Sequence, residues 1–355
     1  MTHINMEKVS RAVAKMILAQ KEEMLDDLFG EDGKLVERLT DYERSANATA
    51  ARQSNKLSRH AEALNAQLTS HINNTLQELQ EKFTHRVVIE RTDLPAIEIE
   101  KAHASIPRAI RKTKDGIHTA LVGPAGTGKG KAAQQIAFAL DKAFYAKSCS
   151  IMDTKSDWLG FIDANGNYHT TPFRESYEKG GVMFIDEGDA ANPQVFVQIN
   201  AGLSDGRMAF PDGMVQQHPE FVVIMAANTW GRGADRQYRG RAIQDAASLN
   251  RFAKVFWDYD EHLERAIAPH PEWCSYVQAV RKVVLDHNMK YVVSYRQTIN
   301  GGTELLGGAP LDEVAQDHIF ADWHKDDLEK LNALMMQSRN GILEMHKKIW
   351  KGVRL

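Results

Sequence analysis

Residues 123–129 read Gly123-Pro124-Ala125-Gly126-Thr127-Gly128-Lys129. Ahead of them, Ile117-His118-Thr119-Ala120-Leu121-Val122 is apolar and β-prone and predicts a short buried strand. Behind them, Ala132 to Leu140 is rich in helix formers, with Ile136, Ala139 and Leu140 as its apolar positions. Strand, glycine-rich loop and helix in that order make the setting of a phosphate-binding loop. The glycines let consecutive backbone N–H groups wrap a polyphosphate, and the helix N-terminus adds its dipole. Lys129 then supplies a point charge to the β and γ oxygens. The expected ligand is ATP with Mg²⁺, cradled by 123–129 and by Gly130 and Lys131 behind them.

Position 130 departs from the pattern. The hydroxyl that normally follows the lysine and holds Mg²⁺ is replaced by Gly130, with Lys131 next. Adenylate-kinase-like loops also read Gly-Lys-Gly, and Mg²⁺ ordinarily keeps several waters, so water can fill that place on the metal. Taken alone, the stretch has a lesser alternative reading as a Gly/Lys-rich turn with no ligand, which a second motif downstream counts against.

A chain of 355 residues has room for two or three units, one of them a full α/β domain. With 43% hydrophobic and 26% charged residues the composition is that of an ordinary globular protein. The net charge of −3 gives no global electrostatic argument for nucleic acid, which stays possible but not indicated. Cys149 and Cys274 form neither a metal spacing nor a disulfide framework and are expected to pack in the core of a protein from a reducing compartment. No stretch approaches the ~20 apolar residues of a membrane span. Charges interrupt residues 1–21, so no signal peptide is expected and the cytoplasm is the default location.

Residues 1 to about 28 predict an amphipathic helix, with Val9, Val13, Ile17, Leu25 and Leu28 roughly on one face, broken at Phe29-Gly30-Glu31-Asp32-Gly33. In the stretch from Leu35 to Phe83, Leu57, Ala61, Leu64, Leu68, Ile72, Leu76, Leu79 and Phe83 recur at spacings of three or four, close to a heptad seam. A coiled coil and a single helix lying on the core both satisfy that spacing. We divide the chain into a helical, coiled-coil-like arm (1–84), an α/β nucleotide domain (85–258) and a helical lid with further helices (259–355). Short strands at Arg86–Glu90 and Ala96–Glu100 and a helix from Ile106 to Arg111 lead into the nucleotide domain.

Beyond the loop, Asn165-Gly166 between alternating residues predicts a projecting hairpin, and Trp158 and Phe161 are expected in the core, with substrate-facing aromatics as the alternative. Val182-Met183-Phe184-Ile185-Asp186-Glu187 is the second half of the chemistry: a buried strand ending in two carboxylates. Asp186 is the metal-ligand candidate, and Glu187 is placed to accept hydrogen bonds from an attacking water. The separation from Lys129 is typical of P-loop NTPases. The next strand, Phe221 to Ala227, ends at Asn228, a polar tip able to touch the lytic water or the γ-phosphate.

Gly180-Gly181, the Asp-Glu pair, Asn192-Pro193, Leu203-Ser204-Asp205-Gly206-Arg207 and Phe210-Pro211-Asp212-Gly213 resemble the AAA+ ATPases of the MoxR type, nearest to the small ATPase subunit of cobaltochelatase and its phage or plasmid relatives. The resemblance runs over about residues 100–300. It implies an inserted hairpin over Arg207 to Val215 and makes Asn228 sensor 1. Leu249-Asn250-Arg251-Phe252 resembles that family's Asp-Arg-Phe, with Asn250 replacing the aspartate; Arg251 becomes the finger reaching a neighbouring subunit's site, with Arg241 as second candidate. Arg232, Arg236 and Arg239 are read as a solvated or interface loop. Ser294-Tyr295-Arg296 matches sensor 2, which gives Arg296 to the γ-phosphate, with Tyr295 where proline is commoner. Helices are expected over Glu272–Asn288 and from Ser294 on, with Gly301-Gly302 and Gly307-Gly308 as breaks and two more helices from Leu311 to Trp350.

The expectation is therefore a P-loop AAA+ core, a parallel sheet flanked by helices, with a C-terminal helical lid and an N-terminal helical or coiled-coil arm. Such a chain would hydrolyse ATP in a homo-oligomeric ring, a hexamer, with Lys129, Asp186, Glu187, Asn228 and Arg296 from one subunit and Arg251 from the next. Its work would be remodelling or loading an unidentified client or adaptor protein; a von Willebrand A-type partner would be a separate polypeptide. A nucleic-acid motor or loader, and a nucleotide-binding scaffold with weak hydrolysis, are the rival readings.

Overall fold

The computed structural model describes Gln20, residues 85–89, 97–230, 245–338 and 340–353. Apart from Gln20 these lie in one compact unit, Glu78–Leu355. The arm expected over 1–84, apart from Gln20, and the arginines at 232, 236, 239 and 241 fall outside the described residues.

Strands β1 (His85–Ile89) and β2 (Ile97–Ala102) pair antiparallel. Helix α1 (Ile106–Lys114) leads into β3 (Thr119–Val122), α2 (Lys129–Ala139) and β4 (Phe144–Ser148). After α3 (Lys155–Leu159) come the small strands β5 (Phe161–Ile162) and β6 (Tyr168–His169), then α4 (Pro172–Lys179) and β7 (Gly181–Asp186). Helix α5 (Pro193–Asp205) precedes the hairpin β8 (Arg207–Phe210) and β9 (Gly213–Gln216), then β10 (Phe221–Ala227), α6 (Ala246–Leu249) and β11 (Ala253–Phe256).

Five strands form one parallel sheet in the order β11-β3-β10-β7-β4. Parallel sheets survive only when both faces are covered, and the side-chain alternation supplies both faces. In β7, Val182 and Phe184 point to one core with Leu121, Ile136 and Trp257, while Met183 and Ile185 point to the other with Phe173, Tyr177 and Phe196. In β10, Val222, Ile224 and Ala226 join the first core and Val223, Met225 and Ala227 the second. Because β10 lies between β3 and β7, the loop after β3, the acids after β7 and Asn228 after β10 leave the sheet at one edge. Ligands of open parallel sheets gather at that edge, outside the carboxyl ends of the strands.

Several helices start where the sequence signals a start. Asn192 accepts from Gln194 N–H ahead of Pro193, and Thr171 accepts from Arg174 N–H ahead of Pro172. The hairpin across Asn165-Gly166 is present, and Trp158 is buried, but Phe161 is not in the core. It is 48% exposed and stacks on His169 with ring centroids 4.8 Å apart, because its two-residue strand stands off the domain with no second layer over it. Both cysteines are free and buried.

The C-terminal part is helical: α7 (Glu261–Ile267), α8 (Pro271–Asp286), α9 (Tyr295–Leu306), α10 (Leu311–Ala315) running into a π-helical turn (Gln316–Phe320), α11 (Lys325–Met335) and α12 (Asn340–Trp350). Three helices follow Leu311 where the sequence suggested two. Gly301-Gly302 is likewise no break; it lies inside α9. A side chain at 301 would meet the Trp273 indole at 2.7–2.9 Å, so the missing Cβ admits the close crossing of α8 and α9. Trp273, Tyr276, Val277, Val280, Phe320 and Leu331 form the core of this lid.

Candidate functional site

The loop between β3 and α2 is built from backbone that side chains cannot imitate. Gly123 passes so close to Trp257 that a Cβ would fall 1.8 Å from the Trp257 carbonyl oxygen, and Gly126 has a φ of +73°. Helix α2 begins at Gly128 with no side-chain cap, which leaves its first-turn N–H groups directed out of the helix end. That is the donor geometry a phosphate group needs. Gly130 and Lys131 lie in the same first turn, Lys131 exposed and Gly130 half-buried.

Lys129 is 8% exposed and donates three hydrogen bonds: to Gly123 O (2.7 Å), Pro124 O (2.7 Å) and Asn228 Oδ1 (2.9 Å). The ammonium thus lies across the loop that it would serve, joined to the tip of β10. Thr127 also folds inward, donating from Oγ1 to Pro124 O (3.0 Å).

Asp186 closes β7 and is half-buried; its Oδ1 accepts from Glu187 N–H (3.0 Å). Glu187 is exposed and adopts φ 53°, ψ 40°, the left-handed region that costs a non-glycine residue about 1–2 kcal/mol. Such strain gathers at functional sites. Among the described residues no group of three or more His, Cys, Asp or Glu side chains could hold a metal. A Mg²⁺ ion held by one carboxylate, phosphate oxygens and water has no need of such a cluster, so the donor set fits.

Asp189, which the sequence reading passed over, fixes the tip of β10. It is 2% exposed, and its Oδ2 accepts from Asn228 N–H (3.1 Å), Thr229 N–H (2.8 Å) and Thr229 Oγ1 (2.9 Å). Asn228 is therefore held from its backbone side by Asp189 while its side chain meets Lys129. The one available signal was the third acid in Asp186-Glu187-Gly188-Asp189.

The lid reaches the loop through the start of α9. Ser294 caps that helix, closing a reciprocal box with Gln297. A Cβ on Gly126 would lie 2.4 Å from Ser294 Oγ and 3.9 Å from Arg296 Cγ, so lid and loop are in van der Waals contact there. Arg296 is exposed beside the loop. Lys129, Asn228 and Arg296 are thus brought together.

Arg251 is not part of that group within one chain. Phe252 is buried against Phe196, ring planes 11° apart, which anchors the turn and leaves Arg251 half-buried at the surface. Its Nε donates to Ser204 Oγ (2.5 Å) and its Nη1 to Ala247 O (2.7 Å).

Residues 118–245 match the AAA domain of the dynein-related subfamily. Over 245 residues the chain is 22% identical to the ATP-binding subunit ClpL of the ATP-dependent Clp protease from Staphylococcus aureus (strain bovine RF122 / ET3-1), a match covering 63% of this chain and 34% of that protein. It is 28% identical over 151 residues to an uncharacterised protein of Staphylococcus aureus (strain USA300), covering 39% of this chain and 54% of that one. The chain thus spans about a third to a half of the length of these curated relatives. Among solved structures, NtrX from Brucella abortus aligns with a TM-score of 0.45 at 14% identity, over 84% of this chain and 69% of that one. With its strand order and phosphate loop, the chain has the P-loop fold of the AAA+ ATPases, and its residues 118–245 are similar to their AAA domain.

Proposed function

We propose that this protein is an ATPase that works as a ring, a hexamer, and couples hydrolysis to remodelling or loading a partner protein, in the manner of the MoxR-type ATPases. The observation carrying this reading is the convergence of Lys129, Asn228 and the lid's Ser294-Tyr295-Arg296 on one loop, while Arg251 stands apart on the surface. An isolated phosphate-binding enzyme needs the first group but has no use for an arginine displayed elsewhere.

In this mechanism Lys129 exchanges the Gly123 and Pro124 carbonyls for the β and γ oxygens of ATP. Asp186 would hold Mg²⁺, which when bound would supply positive charge against those phosphates. Glu187 orients the attacking water and takes its proton, and Asn228 fixes the position of water or γ-phosphate. Arg296 from the lid, and Arg251 from the neighbouring subunit, stabilise charge on the transferring phosphoryl group. Turnover then moves lid and hairpins against a client, either alone or through an adaptor such as a separate von Willebrand A-type protein.

A nucleotide-binding scaffold with weak turnover is the second reading, and Gly130 is the observation that favours it. Steady-state ATP hydrolysis by the wild type, Lys129→Ala and Glu187→Gln, with size measured by sedimentation in the presence of ATP, separates the two. ATPase activity lost in both variants and a ring in the wild type support the first. Equal background rates in all three proteins support the scaffold.

A further inference from the structure

Tyr259 stands where the phosphate loop meets the lid. Its hydroxyl donates to Ala125 O (3.0 Å), two residues past the Trp257 indole, which donates to Thr127 O (3.2 Å). The Arg281 guanidinium lies 4.2 Å from the centre of the Tyr259 ring, and the Tyr295 ring meets it edge-on at 5.6 Å.

Arg281 is itself immobilised. Its Nη1 and Nη2 each donate at 2.6 Å to the two oxygens of Glu264, and its Nε donates to Val293 O (2.7 Å). Glu264 is fully buried and also accepts from Gln278 Nε2 (3.1 Å) and Thr298 Oγ1. Burial opposes a charge on Arg281, but the hydrogen bonds and charge of Glu264 outweigh it and hold the guanidinium above its ordinary pKa. The pair is saturated with partners and ties α7, α8 and α9 into one block, with the Tyr259 ring against it.

We infer that Tyr259 is a positioning residue for the phosphate loop: by holding the Ala125 carbonyl, it aims the N–H of Gly126 at the bound nucleotide's phosphates. The inference rests on the ATP-binding reading above. A trans peptide is planar, with its C=O and the following N–H pointing in opposite directions. Fixing Ala125 O toward Tyr259 therefore fixes Gly126 N–H the other way. Trp257 does the same for the next peptide but one, setting Gly128 N–H through Thr127 O. The tie matters because Gly126, at φ +73°, is the residue type with the least intrinsic resistance to a peptide flip. A flipped 125–126 peptide would turn a carbonyl oxygen on the phosphates in place of a donor. Binding is weakened in proportion to the flipped fraction, since only the competent state takes ligand.

Tyr259→Phe tests this in the full chain, because it keeps the ring against Arg281 and Tyr295 and removes only the hydroxyl. We expect the Kd for MgATP and MgADP, and KM for ATP, to rise about three- to ten-fold, the value of one net hydrogen bond, with kcat within about two-fold of wild type. The thermal midpoint without nucleotide should stay close to wild type, and the nucleotide-induced rise in midpoint should shrink. Unchanged nucleotide affinity would overturn the inference while leaving the ATPase reading intact. A loss confined to kcat would overturn it too, by placing Tyr259 in the chemistry. A wild-type protein that binds neither nucleotide would overturn the ATPase reading and the inference with it.

Discussion

Lys129 Nζ donates to Asn228 Oδ1 at 2.9 Å, so the cation of the phosphate loop and the tip of β10 share a charge-assisted hydrogen bond. Such bonds contribute about 1.5–3 kcal/mol. Asn228→Ala leaves the loop glycines and Lys129 in place for binding while removing a group that positions the reacting end. Hydrolysis is expected to fall about 10- to 100-fold with nucleotide affinity changed by less than about three-fold. Parallel kcat and Kd measurements check the split; a loss appearing in Kd alone would make Asn228 a binding residue.

Asp189 holds the backbone of Asn228 and Thr229, so any effect of its substitution on turnover is expected to pass through Asn228. Asp189→Asn keeps the volume and one acceptor but removes the charge, and should lower kcat about ten-fold with KM within about two-fold. Asp189→Ala leaves the N–H groups of Asn228 and Thr229 and the Thr229 hydroxyl without their shared acceptor. A further stability loss of about 1–3 kcal/mol is expected in denaturant titrations. A destabilised variant with wild-type kcat would restrict Asp189 to folding.

The three central strands were legible because apolar runs bounded by Gly and acids leave few alternatives: β3 and β10 fall inside the stretches read as strands and β7 begins one residue earlier, at Gly181, whereas the outer strands β4 and β11 carry no such run and were not read. The placement of Asn228 between the loop and the acids followed from strand order alone. Three features of the loop and lid were also not legible, for a common reason. Asp189, Tyr259 and the Glu264–Arg281 pair owe their positions to contacts between segments remote in sequence, and no local pattern distinguishes them from surface polar residues. Phe161 failed in the opposite sense. Its hydrophobicity argued for the core, but the two-residue strand that carries it has no layer above it. At Gly301-Gly302 the glycine signal was real, but it marks a close helix crossing, not a turn.

Gly130 is a glycine without a conformational need for one. A Cβ there would sit 3.5 Å from the Phe184 ring, ordinary contact, in a residue with helical backbone. Gly130→Ser should therefore fold, with helix stability raised by about 0.5–1 kcal/mol from propensity alone. The new hydroxyl lies where P-loop proteins present one to Mg²⁺, so the Mg²⁺ concentration for half-maximal ATPase should fall. An unchanged Mg²⁺ titration would show that water serves equally well at that place.

Arg251 bonds to Ser204 and Ala247, and neither contact buries it. Arg251→Ala should leave the thermal midpoint within about 2 °C, since surface substitutions rarely exceed about 0.5 kcal/mol. Hydrolysis should nevertheless fall about 10³-fold if the guanidinium serves the next subunit's site. Mixing Arg251→Ala with Lys129→Ala subunits tests the trans arrangement directly: a mixed ring contains sites with both residues intact, and activity should return. Failure of the mixture to recover any activity, with co-assembly shown, would count against a site shared between subunits.

His118 supplies a pH dependence unconnected with nucleotide. It sits at the entry to β3, between the Phe221 and Phe252 rings, and its Nδ1 accepts from Val223 N–H at 3.1 Å. Burial lowers its pKa from 6.5 to about 4, so the folded protein holds it neutral. Protonation would both charge a half-buried ring and destroy the acceptor. The unfolded chain, with the ordinary value of 6.5, takes up the proton first as the pH falls. The stability from this group is therefore complete above about pH 6.5 and is lost progressively down to about pH 4, by about 3 kcal/mol in all. His118→Asn places an amide oxygen where Nδ1 stood and cannot titrate. Denaturant unfolding at pH 7 and pH 5 should show a smaller drop for the variant than for the wild type, by about 2 kcal/mol, the share of the 1.36 kcal/mol per unit that falls between pH 6.5 and 5. Equal drops in the two proteins would mean that the acid sensitivity of the sheet arises at other groups.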